Sequence, residues 1–326
     1  MSDMSEQTGV KAEGVRIPHM MVAGVYASQP GDASGREAYY ALLAGEEWID
    51  GAEIPYPGEL ADPQTRAWLA AHVPAHWHAN TVTMIPGTMQ NIGKNPDFGL
   101  ASSVLEGRQA ALAHLDTARE ALADFAQLRG SQDVRFVEIH SGPKGRPGAL
   151  ASKEAMCESL ETILSWDWGG AQLVIEHCDR YVDGQTPEKG FLSIEDEIDL
   201  AKELGIGITV NWGRSVVEGR SAELADNHVR ACAEAGVLAG LMFSGAGPEA
   251  TQYGYAWIDG HLPLSVDEPT SWMTPERVAA DVQLAGAAES WLEHGYVGTK
   301  VCVPADADLA TRLSYMKHIS EVIQHG

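Results

Sequence analysis

Basic residues are the first thing this 326-residue chain is short of: 22 Lys and Arg face 46 Asp and Glu, a formal net charge of −24. A chain of that sign repels a phosphate backbone, so nucleic acid is excluded as an expected partner. Anionic membrane surfaces are disfavoured by the same argument. Cysteine is scarce too. Cys157, Cys178, Cys232 and Cys302 form no CxxC pair and no metal-finger spacing, which fits a reduced cytoplasmic enzyme better than a disulfide-stapled secreted domain. No run approaches the ~18 apolar residues of a membrane span. The opening MSDMSEQTGVKAEG is polar and acidic, without the apolar segment of a signal peptide. The expected layout is a loose tail over 1–16 and one domain over 17–326. No GxGxxG or Walker loop follows the first apolar run, which speaks against a nucleotide-binding sheet.

What the chain does have is core material, at 44% hydrophobic residues. Eight short apolar runs recur, at 20–28, 48–56, 81–87, 133–141, 171–179, 206–213, 238–245 and 296–303. Continuous apolar character is what a parallel strand buried on both faces needs. Helical patterns lie between them, at 101–129, 152–166, 193–204, 221–236, 274–295 and 308–323. Ser152, Ser193 and Thr274 stand where N-caps belong, the last followed by Pro275 at the first helical position. A doubly wound sheet would gather its polar residues on two or three strands at one crevice. Here they sit at the C-terminal ends of many runs, which predicts a single (β/α)8 TIM barrel.

The strongest cluster is Val137-Glu138-Ile139-His140-Ser141. Strand alternation puts Glu138 and His140 on one face, and with Val137 and Ile139 against the helices both polar groups point into the barrel. Neither survives there unpaired. The next strand repeats the idea in Glu176-His177-Cys178-Asp179; Glu176 is expected inward, with a pKa raised by burial as a general base or acid needs, and His177 or Asp179 at the rim. Asn211 can grip a diol or carbonyl without bringing charge. Arg214 and Arg220 suit an anionic substituent, against the plainer reading of a Glu218–Arg salt bridge pinning the loop. Lys300, read as lying within the eighth strand, can stabilise an enediolate or, if desolvated, form a Schiff base; the plain alternative is an ion pair with a Glu. Ser244, Tyr253, Trp257 and His261 follow the seventh strand and suit a sugar pocket or lid. Glu53 and Tyr56 end the second strand as further lining. His76, Trp77 and His78 precede the third strand and read as structural. Trp166, Trp168 and Trp272 read as exposed aromatics, at a subunit contact of a homo-oligomer or in plain loop packing.

Taken together, VEIHS (137–141), LVIEHCDRYVDGQTPEKGFLS (173–193), VNWGRSVVEGRS (210–221), GLMFSG (240–245) and TKVCV (299–303) resemble a bacterial family catalogued as a domain of unknown function within the xylose-isomerase-like TIM-barrel superfamily. The resemblance runs from about Val22 to Val303. It implies sugar isomerases, epimerases, some lyases and an endonuclease branch, most of them holding a divalent metal through carboxylates and His at the ends of the later strands. Glu176 matches the superfamily's fifth-strand Glu. Asn211 stands where the sixth strand usually has a carboxylate, and Lys300 where the eighth usually has a Glu. Either the Lys amine replaces the metal's charge, which is the favoured reading, or Mn or Zn has moved toward Glu138, His140 and Glu176.

The leading functional expectation is therefore a carbohydrate isomerase or epimerase. Glu176 (or Glu138) abstracts a proton beside a carbonyl, Lys300 or a metal stabilises the enediolate, and His140 relays the proton to oxygen. His177, Asn211, Arg214, Glu218, Arg220, Ser244 and His261 would bind the substrate. Two alternatives stand beside it: a lyase acting by β-elimination or by aldol cleavage through a Lys300 imine, and a non-catalytic sugar-binding barrel.

Overall fold

A computed structural model describes residues 15–326; of the tail expected over 1–16, residues 1–14 lie outside the described residues. Eight parallel strands close into a barrel in sequence order: β1 (Met20–Ala23), β2 (Gly51–Pro55), β3 (Asn80–Thr83), β4 (Val134–Ile139), β5 (Gln172–His177), β6 (Gly207–Asn211), β7 (Leu238–Phe243) and β8 (Tyr296–Thr299). β8 pairs back onto β1, from Met20 opposite Tyr296 to Ala23 opposite Thr299. The expected (β/α)8 barrel is the fold observed.

The barrel interior is layered. Val22, Phe136, Val174, Met242 and Tyr296 form a small apolar plug toward the N-terminal ends of the strands, with the Phe136 and Tyr296 rings 4.7 Å apart. Tyr296 fits because β7 carries Gly240, where a Cβ would lie 2.4 Å from the Tyr296 ring. Above the plug the inward residues turn polar: Glu53, Thr83, Glu138, Glu176 and Asn211, all buried. The opposite faces of the strands, with residues such as Val137, Ile139 and Ile175, belong to the large core beneath the helices. That core is where period-2 alternation sends the aliphatic half of each strand.

The expected caps are present: Ser152, Ser193 and Thr274 accept N–H groups from Ala155, Asp196 and Arg277. Other boundaries differ. The runs at 20–28 and 81–87 each pass from a strand into a helix, Val25–Ser28 and Ile85–Ile92; a continuous apolar run does not show where a strand ends and a buried helix begins. The helix expected over 274–295 is two, Pro275–Ala285 and Glu289–His294, separated at Gly286. The helices Ala33–Leu43 and Pro63–His72 were not anticipated, although Asp32 and Asp62 cap them with their side chains. Trp166, Trp168 and Trp272 are not exposed: Trp166 stacks on Trp168 at 6.1 Å and Trp272 meets Trp257 edge-on at 5.1 Å. Loop packing accounts for all three. His76, Trp77 and His78 lie before β3 as expected, with Trp77 fully buried.

Candidate active site

Glu176 is the hub of the interior. Its Oε1 takes Arg214 Nη1 at 2.7 Å, Asn211 Nδ2 at 3.1 Å and Lys300 Nζ at 3.3 Å. Its Oε2 takes His140 Nε2 at 2.7 Å and Thr83 Oγ1 at 3.2 Å. Burial alone would raise the carboxyl, but Arg214, Lys300 and His140 outweigh it and hold Glu176 well below the usual carboxylate range. This reverses the expected raised pKa: desolvation was right, and two converging cations overcome it. Lys300 is the first residue beyond β8, not within it, and its Nζ also lies 2.7 Å from Glu53 Oε1. Its stem can sit there because Gly24 passes so close that a Cβ would meet Lys300 Cβ at 2.7 Å. Burial opposes its charge, yet Glu176 and Glu53 keep the amine protonated.

Glu138 behaves in the opposite way. Burial, Glu176 and Glu53 all push its carboxyl well above the usual range, toward the protonated form. Its Oε1 accepts the Tyr296 hydroxyl, and Tyr296 and Thr209 share a hydrogen bond of 2.7 Å. His140 is neutral, because burial lowers it to about 4. With Nε2–H directed at Glu176, its Nδ1 carries a lone pair and has no partner. Asn211 Oδ1, Arg214 Nη2 and the second oxygens of Glu53 and Glu138 are likewise buried without one. Such a density of free donors and acceptors in one chamber is rare unless water or a ligand completes it.

The mouth is covered by the segments after β5 and β7. Asp259 ties them together, bonding Lys189 Nζ and accepting from Arg214 Nε at 3.0 Å. His261 Nδ1 is 2.7 Å from Ser244 Oγ. The Arg220 guanidinium lies over the Trp257 ring at 4.9 Å. Arg220, Trp257 and His261 are the non-glycine residues at positive φ among those described, at 49°, 66° and 50°. Strain at that many rim positions is held by the surrounding packing.

Of the residues expected from sequence, Glu138, His140, Glu176, Asn211, Arg214 and Lys300 are brought together, with Glu53 beside them. Ser244 and His261 meet above at the rim. His177 and Glu218 are corrections. His177 lies within β5 and faces outward to Glu197, with its Nδ1 2.7 Å from Oε2. Glu218 is bound by Arg180, not Arg214 or Arg220, and lies 3.4 Å from His177 Nε2. The first follows from alternation after inward Glu176, since neighbours on a regular strand cannot share a face; Glu218 lies on the helix Trp212–Gly219, which turns it toward His177 and Arg180. Asp179 is spent on the N–H groups of Lys189 and Gly190. Tyr56 lies one residue beyond β2 and packs on His114 at 5.2 Å, outside the barrel. Sequence reasoning missed Tyr296, Asp259 and Lys189. For Tyr296 the signal was available: it is the inward hydroxyl two residues before Gly298 on a strand already assigned.

The fit of a divalent metal to the interior rests on Lys300. Glu53, Glu138 and Glu176 bring carboxylate oxygens within 4.8 Å of one another, but the ammonium sits between two of them and Arg214 holds the third side. A dication about 4 Å from an ammonium meets about 8 kcal/mol of repulsion at an effective dielectric of ~20. Both oxygens of Glu176 are taken up, one by Arg214, Asn211 and Lys300 and the other by His140 and Thr83, so the set Glu138, His140 and Glu176 does not assemble as ligands. The interior is built around fixed cations and does not fit a divalent metal.

A closed eight-stranded parallel barrel with a polar chamber at the C-terminal ends of its strands is a (β/α)8 TIM barrel. Within it, the model of a domain of unknown function, DUF4862, matches residues 22–315, and the chain belongs to that family. An uncharacterized protein of Salmonella typhimurium, STM3670, is 33% identical over 283 residues, 86% of this chain and 87% of that one. The crystal structure of a D-psicose 3-epimerase in the presence of D-fructose superposes with a TM-score of 0.60 at 13% identity, over 94% of this chain and all of that one. The apo 3-keto-D-glucoside 4-epimerase of E. coli gives a TM-score of 0.53 at 14% identity, over 94% and 98% of the two chains. At such identities the likeness concerns the fold. Among the described residues no helix is long and apolar enough to cross a membrane.

Proposed function

We propose that the protein is a carbohydrate isomerase or epimerase that moves a proton next to a carbonyl through an enediolate, with fixed cations in place of a metal. The observation that carries this reading is the split between two buried carboxyls in one chamber: Glu176 is bound by Arg214, Lys300 and His140 and pushed toward ionisation, while Glu138 has only the Tyr296 hydroxyl and is pushed toward its protonated form. Environments that push paired titratable groups apart are how a site keeps an acid and a base at one pH. Glu176 is too heavily bonded to be the base and instead orients His140. His140 Nδ1 is the free basic atom that takes the carbon-bound proton, Glu138 is the acid that returns one, and Lys300 and Arg214 Nη2 stabilise the enediolate oxygens. Asp259 is paired with both Arg214 and Lys189, which offsets charge that would otherwise favour a phosphate or carboxylate. A neutral polyhydroxylated sugar uses the remaining donors and acceptors best. The imine route to a lyase is disfavoured, since Lys300 is held protonated and a Schiff base needs the free amine.

The test is a panel of free aldoses and ketoses incubated with the protein in D2O and followed by proton NMR. Expected is loss of one C–H signal beside the carbonyl, together with an isomer or epimer as product. Sugar binding without exchange or turnover would overturn the reading in favour of a binding protein, and borohydride-dependent inactivation with substrate would favour the imine lyase.

A further inference from the structure

β5 sends Glu176 into the barrel and His177 out beneath the helices Ile194–Leu204, Trp212–Gly219 and Ala222–Glu234, where it meets Glu197, Glu218 and His228. We propose that His177, His228 and Glu218 form a structural binding site for one first-row divalent transition metal, separate from the chamber and independent of the function proposed above.

One ligand atom from each residue lies within 4.8 Å of the others. His177 Nε2 is 3.4 Å from Glu218 Oε2, and His228 Nε2 is 3.8 Å from Glu218 Oε1. Ligands on a tetrahedral ion with bonds of about 2.0–2.1 Å stand about 3.3–3.5 Å apart, so His177 and Glu218 already have that spacing and the set as a whole, within 4.8 Å, closes by a shift of about an ångström at most. The supporting bonds are already made. His177 Nδ1 is 2.7 Å from Glu197 Oε2, whose partner oxygen accepts Ser141 Oγ at 2.6 Å. His228 Nδ1 is 2.9 Å from Ser215 Oγ. Both rings are thus fixed through Nδ1 with Nε2 facing the same carboxylate, which is how metal-binding imidazoles are held. His177 Nε2 is fully buried and has no hydrogen-bond partner. Arg180 donates its backbone N–H to Glu218 Oε2 at 2.8 Å and its Nε to Oε1 at 3.0 Å; each oxygen keeps a second lone pair for an ion.

The donor set names the class of ion. Two imidazoles and one carboxylate suit Zn, Co or Fe(II), whereas Ca and Mg prefer oxygen alone. The carboxylate trio inside the barrel has an ammonium between two of its members; in this cluster the cation, Arg180, bonds the single carboxylate Glu218 and neither imidazole. Because Arg180 opens the segment that carries Lys189 to Asp259, an ion here would also brace the root of the mouth's cover.

The experiment uses chelator-treated full-length protein titrated with Co2+ at pH 8 and followed by visible absorption, then by Zn2+ displacement and thermal melting. Expected are one Co2+ per chain with the d–d bands of a four- or five-coordinate nitrogen–oxygen site, displacement by Zn2+, and a melting temperature raised by several degrees. The bands are lost in His228→Gln and Glu218→Gln and kept in Glu138→Gln. Absence of bands and of a melting shift in the unmutated protein overturns the proposal, whatever the variants do. So do bands that survive His228→Gln and vanish in Glu138→Gln, which would put the metal in the barrel.

Discussion

Glu176 and His177 are neighbours in the chain, yet they anchor two buried polar clusters on opposite faces of one strand. The inner one joins Glu176, Arg214, Lys300, Glu53 and His140; the outer one joins His177, Glu197, Glu218 and His228. They resemble each other in burial and in mixing carboxylates with cations or imidazoles. What separates them is what each leaves unmade. Inside, five fully buried side-chain atoms on Glu53, Glu138, His140, Asn211 and Arg214 have no hydrogen-bond partner; outside, among the described residues of the cluster, His177 Nε2 is the one fully buried atom without one. A satisfied buried network fixes one structure, while unmet donors and acceptors gathered in one space are a standing cost that a ligand relieves. By that criterion the inner cluster is the working site and the outer one a brace.

The largest effect that tests this contrast comes from Lys300→Met. It removes the charge that offsets Glu53 and Glu176 and the electrophile proposed for the enediolate. Turnover should fall about 10²–10³-fold, and unfolding by urea should show about 3–5 kcal/mol lost, since one partner of a buried pair leaves the other uncompensated. Turnover near the unmutated level would show that the inner cations are structural, and the contrast would collapse.

Glu138→Gln comes next and separates chemistry from stability. Gln copies a protonated carboxyl in shape and can hydrogen-bond to Tyr296, so the melt should move little. It has no proton to return, so exchange of the C–H proton should slow about 10²-fold or more. A large loss of stability with activity retained would mean that Glu138 is ionised and structural.

A smaller effect sharpens the assignment of the base. His140 is lowered to about 4, and the proposed reaction needs it neutral, so activity is lost only as pH falls through about 4. At pH 5 an ordinary imidazole of pKa about 6.5 would be only ~3% neutral, whereas this one is about 90% neutral, a contrast of about 30-fold. The measurement is kcat/KM from pH 3.5 to 8. An acidic limb between 6 and 7 would move the base to another group.

How much of this was legible beforehand follows the same division. Alternation along VEIHS and LVIEH was enough to put Glu138, His140 and Glu176 inside, because a period-2 rule needs only the strand. It should also have sent His177 out once Glu176 was placed inward, but a polar residue against helices looks improbable until Glu197 and Glu218 are seen to meet it, and those lie 20 and 41 residues further along the chain. The sign of the Glu176 shift was not legible for a related reason: burial is readable from pattern, whereas the convergence of Arg214 and Lys300, from beyond β6 and β8, depends on barrel closure. Asp259 and Lys189 sit on long loops, where no periodicity places a side chain. The strand ends at Ala23 and Thr83 were obscured because apolar residues continue into the following helix.

The smallest expected effect, from Glu197→Gln, is the one that can break the contrast from the outer side. Glu197 accepts from Ser141 on one oxygen and pairs with His177 on the other. An amide can accept from only one of them and presents an unwanted NH2 to the other, so stability should drop by about 1–3 kcal/mol in urea titrations. Turnover should stay within about twofold, because Glu197 touches nothing inside the barrel. Ser141, however, directly follows His140, and its hydroxyl also accepts the Leu192 N–H at 3.3 Å, at the end of the segment that covers the mouth. If the exchange rate falls while the melt holds, the brace is transmitting position to the base through that one peptide. The two clusters would then be a single device divided by a strand.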